Sequence, residues 1–252
     1  IMINKFFTTT VKPDITASTQ HATAFAADDL LFDWAAFDVP KGASRLVGVT
    51  ALIRGTSGAD QTARAFDLLF AKARPSKHYS TTNGFAPDSL GTENAAVASG
   101  HKFRWKNNVI GIQNIATGDW NDGALISMNV ATPETISQIV FESNPRSGTN
   151  VGYDKFYVAG IAQGALDFRS ALTDDGGHAT SVKIMTVADS GALVNFAPGD
   201  VIHDEDDQLL GTIFTTNSDT SITFEANLAN ASTNNKVLYN LNPITLVLSF
   251  EK

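Results

Sequence analysis

Short runs of alternating apolar and polar residues, separated by turn-forming residues, recur along the first two thirds of the chain and constrain its fold most strongly. A period of two is typical of strands that bury one face. The runs before residue 165 are Ile3–Val11, Leu30–Phe37, Leu46–Arg54, Ala63–Lys72, Val109–Asn114, Ala124–Val130, Ile136–Glu142 and Lys155–Ala162. Since no helical pattern of about 10–15 residues separates them, the sequence predicts an antiparallel, jelly-roll-like β-sandwich. The helix-like exceptions are short, chiefly around Asn94–Ser99.

After Gly164 the apolar runs shorten, and the turns between them become acidic or rich in Asn. The predicted strands of this part are Val182–Val187, Leu193–Phe196, Asp200–His203, Gln208–Thr216, Ser221–Phe224 and Lys236–Asn240. Closing so small a sheet on itself removes its exposed edges. We therefore expect a small SH3-like β-barrel over residues 166–242.

The chain ends in a strongly apolar run, Pro243–Phe250, for which the barrel offers no evident partner. We expect this run to return to the sandwich and to pair with Ile3–Val11. The predicted domains are thus a sandwich over residues 1–165, completed by residues 243–252, and a barrel of residues 166–242 inserted before the last strand.

Charge is distributed unevenly between these two parts. The whole chain carries a formal charge of −8, yet residues 1–165 hold 14 basic and 14 acidic residues, whereas residues 166–252 hold 4 and 12. Positive charge is concentrated between Lys72 and Lys106, among aromatic residues. Because the chain as a whole is acidic, we expect a protein partner for this stretch rather than nucleic acid. The candidate interface residues are Lys72, Arg74, Lys77, Lys102, Phe103, Arg104, Trp105, Lys106 and Trp120.

Trp105 and Trp120 allow two interpretations. Trp105 lies between basic residues, and Trp120 lies in the polar stretch Gly118–Gly123. Each could be an exposed anchor, either for a protein partner or for a stacked sugar ring. The other interpretation is a core residue that closes one end of the sandwich.

The sequence carries no local signature of catalysis. It has no Cys, and none of its five His residues forms a His-x-x-x-His pair or adjoins a Gly-x-Ser-x-Gly motif. Glu93, Glu134 and Glu142 could serve a glycosidase, but no motif singles any of them out. We therefore expect a protein that is not an enzyme and that has no cofactor.

Two acidic segments are candidate cation sites. Asp204–Asp207 lacks the spacing of an EF-hand loop and is flanked by apolar pairs, which predicts the solvated tip of a β-hairpin. Asp174–His178 contains Asp-Gly and Gly-Gly, which favours a turn with positive φ. We expect no metal at either segment. No apolar run approaches the ~20 residues of a membrane-spanning helix, so we expect no membrane partner.

Several segments resemble virion structural proteins of tailed bacteriophages, particularly marine and cyanobacterial ones. In the sandwich these segments are Leu31–Trp34, Asp38–Gly42 leading into Leu46–Thr50, and Asn150–Gly160. The barrel is similar to a recurrent phage module through Pro198–Ile202, Leu210–Ile213, Thr220–Phe224 and Tyr239–Asn240.

The resemblance implies a particle component, assembled in the host cytoplasm and located in the virion, and it carries no catalytic residue. We expect a capsid decoration or cement subunit that binds other virion proteins and neighbouring copies of itself. The alternative is a tail or fibre component that binds host surface glycan. Abundant Thr, Ser, Asn, Ala and Gly agree with an assembled surface, because such side chains lose little entropy on ordering.

Overall fold

The described part of the chain is built almost entirely of antiparallel strands. The computed structural model describes residues 6–40, 42–55, 65–72, 87–97, 108–123, 128–143, 153–170, 172–188 and 190–252. Within these ranges fifteen strands form three sheets. The predicted all-β, antiparallel sandwich class is thereby confirmed.

The first sheet has six strands in the order β1, β15, β3, β7, β6, with β8 also paired to β3. Their bounds are β1 Phe6–Val11, β3 Gly42–Arg54, β6 Trp120–Gly123, β7 Met128–Ala131, β8 Val140–Ser143 and β15 Ile244–Glu251. Burial alternates along β15, as expected where one face of a strand packs on a core.

The second sheet has four strands in the order β2, β9, β4, β5. Their bounds are β2 Leu30–Pro40, β4 Phe66–Lys72, β5 Val109–Ile115 and β9 Tyr153–Ala162. The first strands of the chain alternate between the two sheets, and so do the last two strands of the sandwich, which matches the predicted jelly-roll-like arrangement.

The core lies between these two sheets. Phe37, Phe70 and Phe156 of the second sheet meet Phe141 and Phe250 of the first, with ring centroids 5.0–6.2 Å apart between the sheets. Aromatic rings at these separations bury large apolar areas and interact favourably, mostly edge to face. This cluster holds the two sheets together.

The terminal strand returns to the sandwich. β15 pairs with β1 from Phe6 opposite Glu251 to Val11 opposite Leu246, and its other side pairs with β3. This is the pairing that the sequence predicted for the last apolar run. The wider division of the chain into two independent domains stays a prediction.

The third sheet lies entirely between β9 and β15 in the sequence. Its order is β10, β13, β12, β11, β14. The bounds are β10 Ile184–Thr186, β11 Val201–Asp204, β12 Leu209–Ser218, β13 Ser221–Phe224 and β14 Leu238–Asn240. We call residues 172–241 the insertion. Its own core includes Leu172, Met185, Ile213 and Phe224.

The insertion does not form the closed barrel that the sequence predicted. In the described residues the edge strands β10 and β14 do not pair with each other. Instead, Thr173 forms a single bridge to Val237, and Asp174 forms one to Val187. Thr173 and Asp174 thus lie between the two edge strands, and each makes one isolated bridge. These bridges take the place of a continuous ladder between β10 and β14.

Three short helical elements were not predicted: α1 Ala17–Ala22, α2 Ala192–Asn195 and a 3-10 helix at Thr117–Asp119. The strand predicted at Leu193–Phe196 is wrong, because Gly191 turns the chain at φ +127° and one helical turn follows, closed by Phe196 N–H on the Ala192 carbonyl. The helix-like stretch predicted at Asn94–Ser99 is a turn and a bridge over residues 94–97; residues 98–99 lie outside the described ranges.

Candidate functional site

A group of buried and half-buried polar contacts joins the insertion to the sandwich. We call this contact region, formed by Gln20, His21, Arg54, Asp200, Tyr239 and Asn240, the seam. Gln20 lies on α1 and is buried; its Nε2 donates to the Ile15 carbonyl at 2.7 Å and to the Asn240 carbonyl at 2.8 Å. One side-chain amide thus ties the segment before α1 to the end of β14.

An ion pair between a partly exposed arginine and a buried carboxylate crosses the seam. Arg54, the last residue of β3, lies 3.4 Å from Asp200, whose side chain is 4% exposed. Burial raises the pKa of Asp200, while the Arg54 guanidinium and the Ala197 N–H act in the opposite direction. Because the Asp200 carboxylate is buried, removing Arg54 would leave that charge without its ionic partner.

Tyr239 completes the seam beside an open cleft. Its hydroxyl lies 2.8 Å from His21 Nδ1, and burial raises its pKa to about 12. The cleft encloses about 250 Å³ of space, including some open to solvent. Its lining includes Gln20, Arg54, Phe168, Asn195, Phe196 and Tyr239. Since Arg54 already pairs with Asp200 and Gln20 with two carbonyls, the seam works as a structural joint.

The acidic segment Asp204–Asp207 is a hairpin tip, as predicted, because β11 pairs with β12 on either side of it. It is less solvated than expected. Asp204 is buried and its Oδ1 accepts from the Asp206 and Gln208 N–H groups, at 3.0 and 2.9 Å. Asp207 Oδ1 accepts from the Ser18 N–H at 2.9 Å, which fixes the tip against α1.

The other two carboxylates of the tip share one lysine. Lys236 Nζ donates to Glu205 at 2.9 Å and to Asp206 at 2.6 Å, and together they raise the pKa of that ammonium. Burial raises the pKa of Glu205, but hydrogen bonds from Lys236 and Val237 outweigh it and leave that pKa lowered. All four carboxylates therefore hold the hairpin in place.

The second acidic segment forms a line of three side chains that resembles a catalytic triad in outline. His178 Nδ1 lies 2.7 Å from Oδ1 of the buried Asp174, and His178 Nε2 lies 3.4 Å from the Thr186 hydroxyl. However, Nε2 accepts from the Thr186 N–H at 3.2 Å, and that hydroxyl donates to the Asp175 carbonyl at 2.8 Å. The imidazole therefore cannot act as a base toward Thr186 in this arrangement.

These side chains belong to the segment that bridges the two edges of the third sheet, and backbone hydrogen bonds hold that segment in place. Asp174 N–H donates to the Lys236 carbonyl, and Asp175 N–H donates to the Thr186 carbonyl. Gly176 and Gly177 have φ of +98° and +72°, so the predicted turn with positive φ is confirmed.

Of the nine predicted interface residues, the described part of the chain contains two. Lys72 is exposed at the end of β4, and Trp120 is half-buried, 6.1 Å from Phe66 between ring centroids. Phe66 begins β4, so roughly 20 Å of strand separates Lys72 from the Trp120 contact. The structure does not bring these two together. The other seven lie outside the described residues: Arg74, Lys77, Lys102, Phe103, Arg104, Trp105 and Lys106.

Sequence reasoning singled out neither Gln20 nor Glu93. Glu93 lies in the loop beside β2, where burial, together with the nearby Asp33 and Asp14 carboxylates, raises its pKa to about 7, although its Oε1 accepts from the Asp33 N–H at 3.4 Å. No local pattern marks either residue, because their partners are 60 and 220 positions away in the sequence.

Large apolar side chains remain exposed on both parts. On the sandwich these include Phe6 at 62% and Val140 at 57%; on the insertion they include Phe214 at 65% and Ile184 at 55%. Phe214 lies where the pairing of β12 with β13 is irregular, and Ile184 is opposite Thr223 on the same sheet. Exposed aromatic and branched side chains of this kind are typical anchors in protein contacts.

Within the described ranges, no group of three or more acidic or His side chains could hold a metal ion. Among the described helices, none has the length and apolar character needed to cross a bilayer. No family model, curated protein or solved structure matches this chain.

Proposed function

We propose that this chain is a non-enzymatic structural subunit of a tailed-phage virion that decorates the capsid, binding both the particle and neighbouring subunits. The observation that carries the proposal is the architecture: a jelly-roll-like sandwich bears a second, acidic β unit inserted before its last strand and fixed at a seam of buried polar contacts. A rigid joint of this kind presents two binding units in a constant relation.

The chemistry of the described side chains supports a structural role. In the clusters that might have served catalysis, Asp174–His178 and Asp204–Asp207, both ring nitrogens of His178 and one carboxylate oxygen each of Asp174 and Asp204 make contacts within the fold. Engaged in this way, they stabilise turns and edges.

The surface supports a role in binding more than one neighbour. Val140 projects from the sandwich and Phe214 from the insertion, each more than half exposed. The two parts also differ in charge, since the acidic excess lies after residue 165. We propose that the sandwich attaches to the particle and that the insertion projects or contacts a neighbour.

Jelly-roll folds are used by viral capsid subunits and also by lectins, so fold alone does not separate capsid decoration from glycan binding. The position of Trp120 favours capsid decoration over glycan binding. Its side chain is half-buried against Phe66, so less of the indole ring is exposed for stacking on a sugar.

The test is to locate and count the chain in purified virions from the phage that encodes it. Gold-labelled antibody and quantitative mass spectrometry should find many copies over the head. Purified chain added to heads that lack it should bind them. Val140→Lys should weaken that binding, whereas Phe214→Lys, a similar change at an exposed position on the insertion, should leave it near the wild-type level.

Two results would overturn the proposal. Label restricted to the tail in few copies, together with binding to host glycan, would establish the receptor-binding alternative. Absence of the chain from purified virions would remove the structural role altogether.

A further inference from the structure

The outer edge of β1 is a strand edge that natural sheets usually protect. β1 ends the first sheet, and its ladder partner among the described residues is β15. Its six residues, Phe-Phe-Thr-Thr-Thr-Val, contain no charge and no Pro, and all six pair with β15 without a register shift. A flat, uncharged edge presents unpaired N–H and C=O groups that another strand can complete.

The other described edges of the sandwich differ from β1. The start of β2 is covered, because Leu30 exchanges backbone hydrogen bonds with Asn94 and Ala95. β5 pairs with β4 through an irregular register near Ala71, and β6 has four residues. Bulges, covering loops and short strands are devices that prevent edge pairing. β1 has none of them in the part of the chain that the structure describes.

Charge favours a second copy of the same chain at this edge. Two copies of a chain with net charge −8 repel each other, chiefly through the acidic excess after residue 165. Along β1 and β15, however, the only charged residue is Glu251, and Arg45 pairs with it. Two copies can therefore approach along this edge with little like-charge repulsion.

The side chains of β1 also suit pairing with themselves. Phe6, Thr8 and Thr10 are exposed on the outer face, while Phe7 and Thr9 are half-buried on the inner one. In an antiparallel β1–β1 pair related by a two-fold axis, exposed residues of the outer face must lie opposite exposed residues, and residues of the inner face opposite residues of the inner face. This condition holds if the axis passes through Thr8 or Thr9. An axis at Thr8 places Phe6 opposite Thr10 of the other copy, and an axis at Thr9 places Thr8 opposite Thr10. Aromatic, β-branched and Thr–Thr pairs of this kind stabilise sheets.

We propose that β1 pairs antiparallel with β1 of a second copy, which joins the two six-stranded sheets edge to edge in a closed dimer. Because each copy uses its single β1 edge, the contact closes with two-fold symmetry and does not extend into a filament. The proposal rests on the proposed function for its occupant, a neighbouring subunit. Its test uses purified chain without particles, so its failure would leave attachment to the head untouched.

The first experiment measures self-association by sedimentation of the full chain over a range of concentrations. The wild type should form dimers. Thr8→Lys with Thr10→Lys should weaken dimerisation at least tenfold, since either axis places introduced lysines opposite each other. The control, Thr132→Lys with Thr180→Lys, makes the same change of net charge at two exposed positions away from β1 and should dimerise like the wild type. Thermal melting checks that every variant is folded.

The second experiment reads out the pairing directly. The chain has no Cys, so a single introduced Cys reports one position. Directly opposed residues of antiparallel strands lie about 4.5–5.5 Å apart at Cα, within reach of a disulfide. Mild oxidation should therefore crosslink Thr8→Cys or Thr9→Cys into a covalent dimer, while Thr132→Cys should stay uncrosslinked. A wild-type chain that is monomeric at every concentration would overturn the proposal. So would equal association of the β1 and control lysine variants, or growth into fibrils rather than dimers.

Discussion

Glu93 couples the fold to pH through a half-buried carboxyl group. Its ordinary pKa of 4.5 rises to about 7, first because burial disfavours the charged form and also because the carboxylates of Asp33 and Asp14 lie nearby. Between these two values the folded chain binds a proton that the unfolded chain has lost. Stability contributed by the neutral form is therefore present below pH 4.5 and is lost as pH rises toward 7.

We predict that Glu93→Gln removes this pH dependence. Gln keeps an oxygen that can accept from the Asp33 N–H but cannot ionise. The variant should match the wild type near pH 4 and exceed it above pH 8 by about 1–2 kcal/mol in the free energy of unfolding, a value reduced for partial exposure to water. Urea denaturation across this pH range measures it. Glu134→Gln, which makes the same charge change on an exposed side chain, is the control. A constant difference between Glu93→Gln and wild type at all pH values would contradict the prediction.

Asp204 shows how far residue-level inference from the sequence reaches. The flanking apolar pairs correctly predicted a hairpin around Asp204–Asp207, because turn position follows from local sequence. The tertiary contact of this tip with α1 does not follow from local sequence, because it joins Asp207 to Ser18, which are 189 positions apart. For the same reason local sequence did not reveal the role of Gln20, whose partner Asn240 lies 220 positions away.

At the scale of elements, a glycine of β9 leaves room for an aromatic ring of its neighbour β2. A Cβ at Gly160 would lie 2.3 Å from Cε1 of Phe32, which is itself buried in the core. The register of the two strands shifts on either side of Phe32. Gly160 therefore makes room for Phe32 where the pairing is irregular.

We predict that Gly160→Ala destabilises the chain by about 1–3 kcal/mol, the usual range for overpacking a core. Gly164→Ala is the matched control, since a Cβ there meets nothing within 4 Å. It should change stability little. Chemical denaturation of both variants measures the difference. Equal stability of the two would mean that Phe32 moves without cost, against this account of the packing.

Strands that bury one face were predictable from their alternation, whereas elements set by tertiary contacts were not. Ser221–Phe224 was predicted with the bounds that it has, since burial alternates along it. β6 begins at Trp120 inside a stretch that looks like a polar loop, and it exists because β7 pairs with it. The predicted barrel does not close because the bridging segment of the insertion makes single bridges to each edge.

At the scale of the whole molecule, the chain passes from one core to the other over a few residues. Leu166 and Phe168 pack in the sandwich core, and Leu172 packs in the core of the insertion. On the return, Asn242 Nδ2 donates to the carbonyls of Lys12 and Pro13, on the sandwich side. Ser170 and Pro243 line the same cleft, so the two crossings lie near each other.

We predict that deleting residues 172–240 and joining the ends with a short Gly-Ser linker leaves a folded sandwich. The strands β10 to β14 pair with one another and not with the sandwich sheets, whereas β15 keeps both of its partners, β1 and β3. The deletion removes Asp200 and so leaves Arg54 without its buried partner. A companion variant with Arg54→Met tests the same boundary without this charge; because the deletion also removes cleft residues around Arg54, the two products should have similar stability. Far-UV circular dichroism and thermal melting measure the outcome. If both deletion products lack β structure and a cooperative transition, the sandwich depends on the insertion to fold.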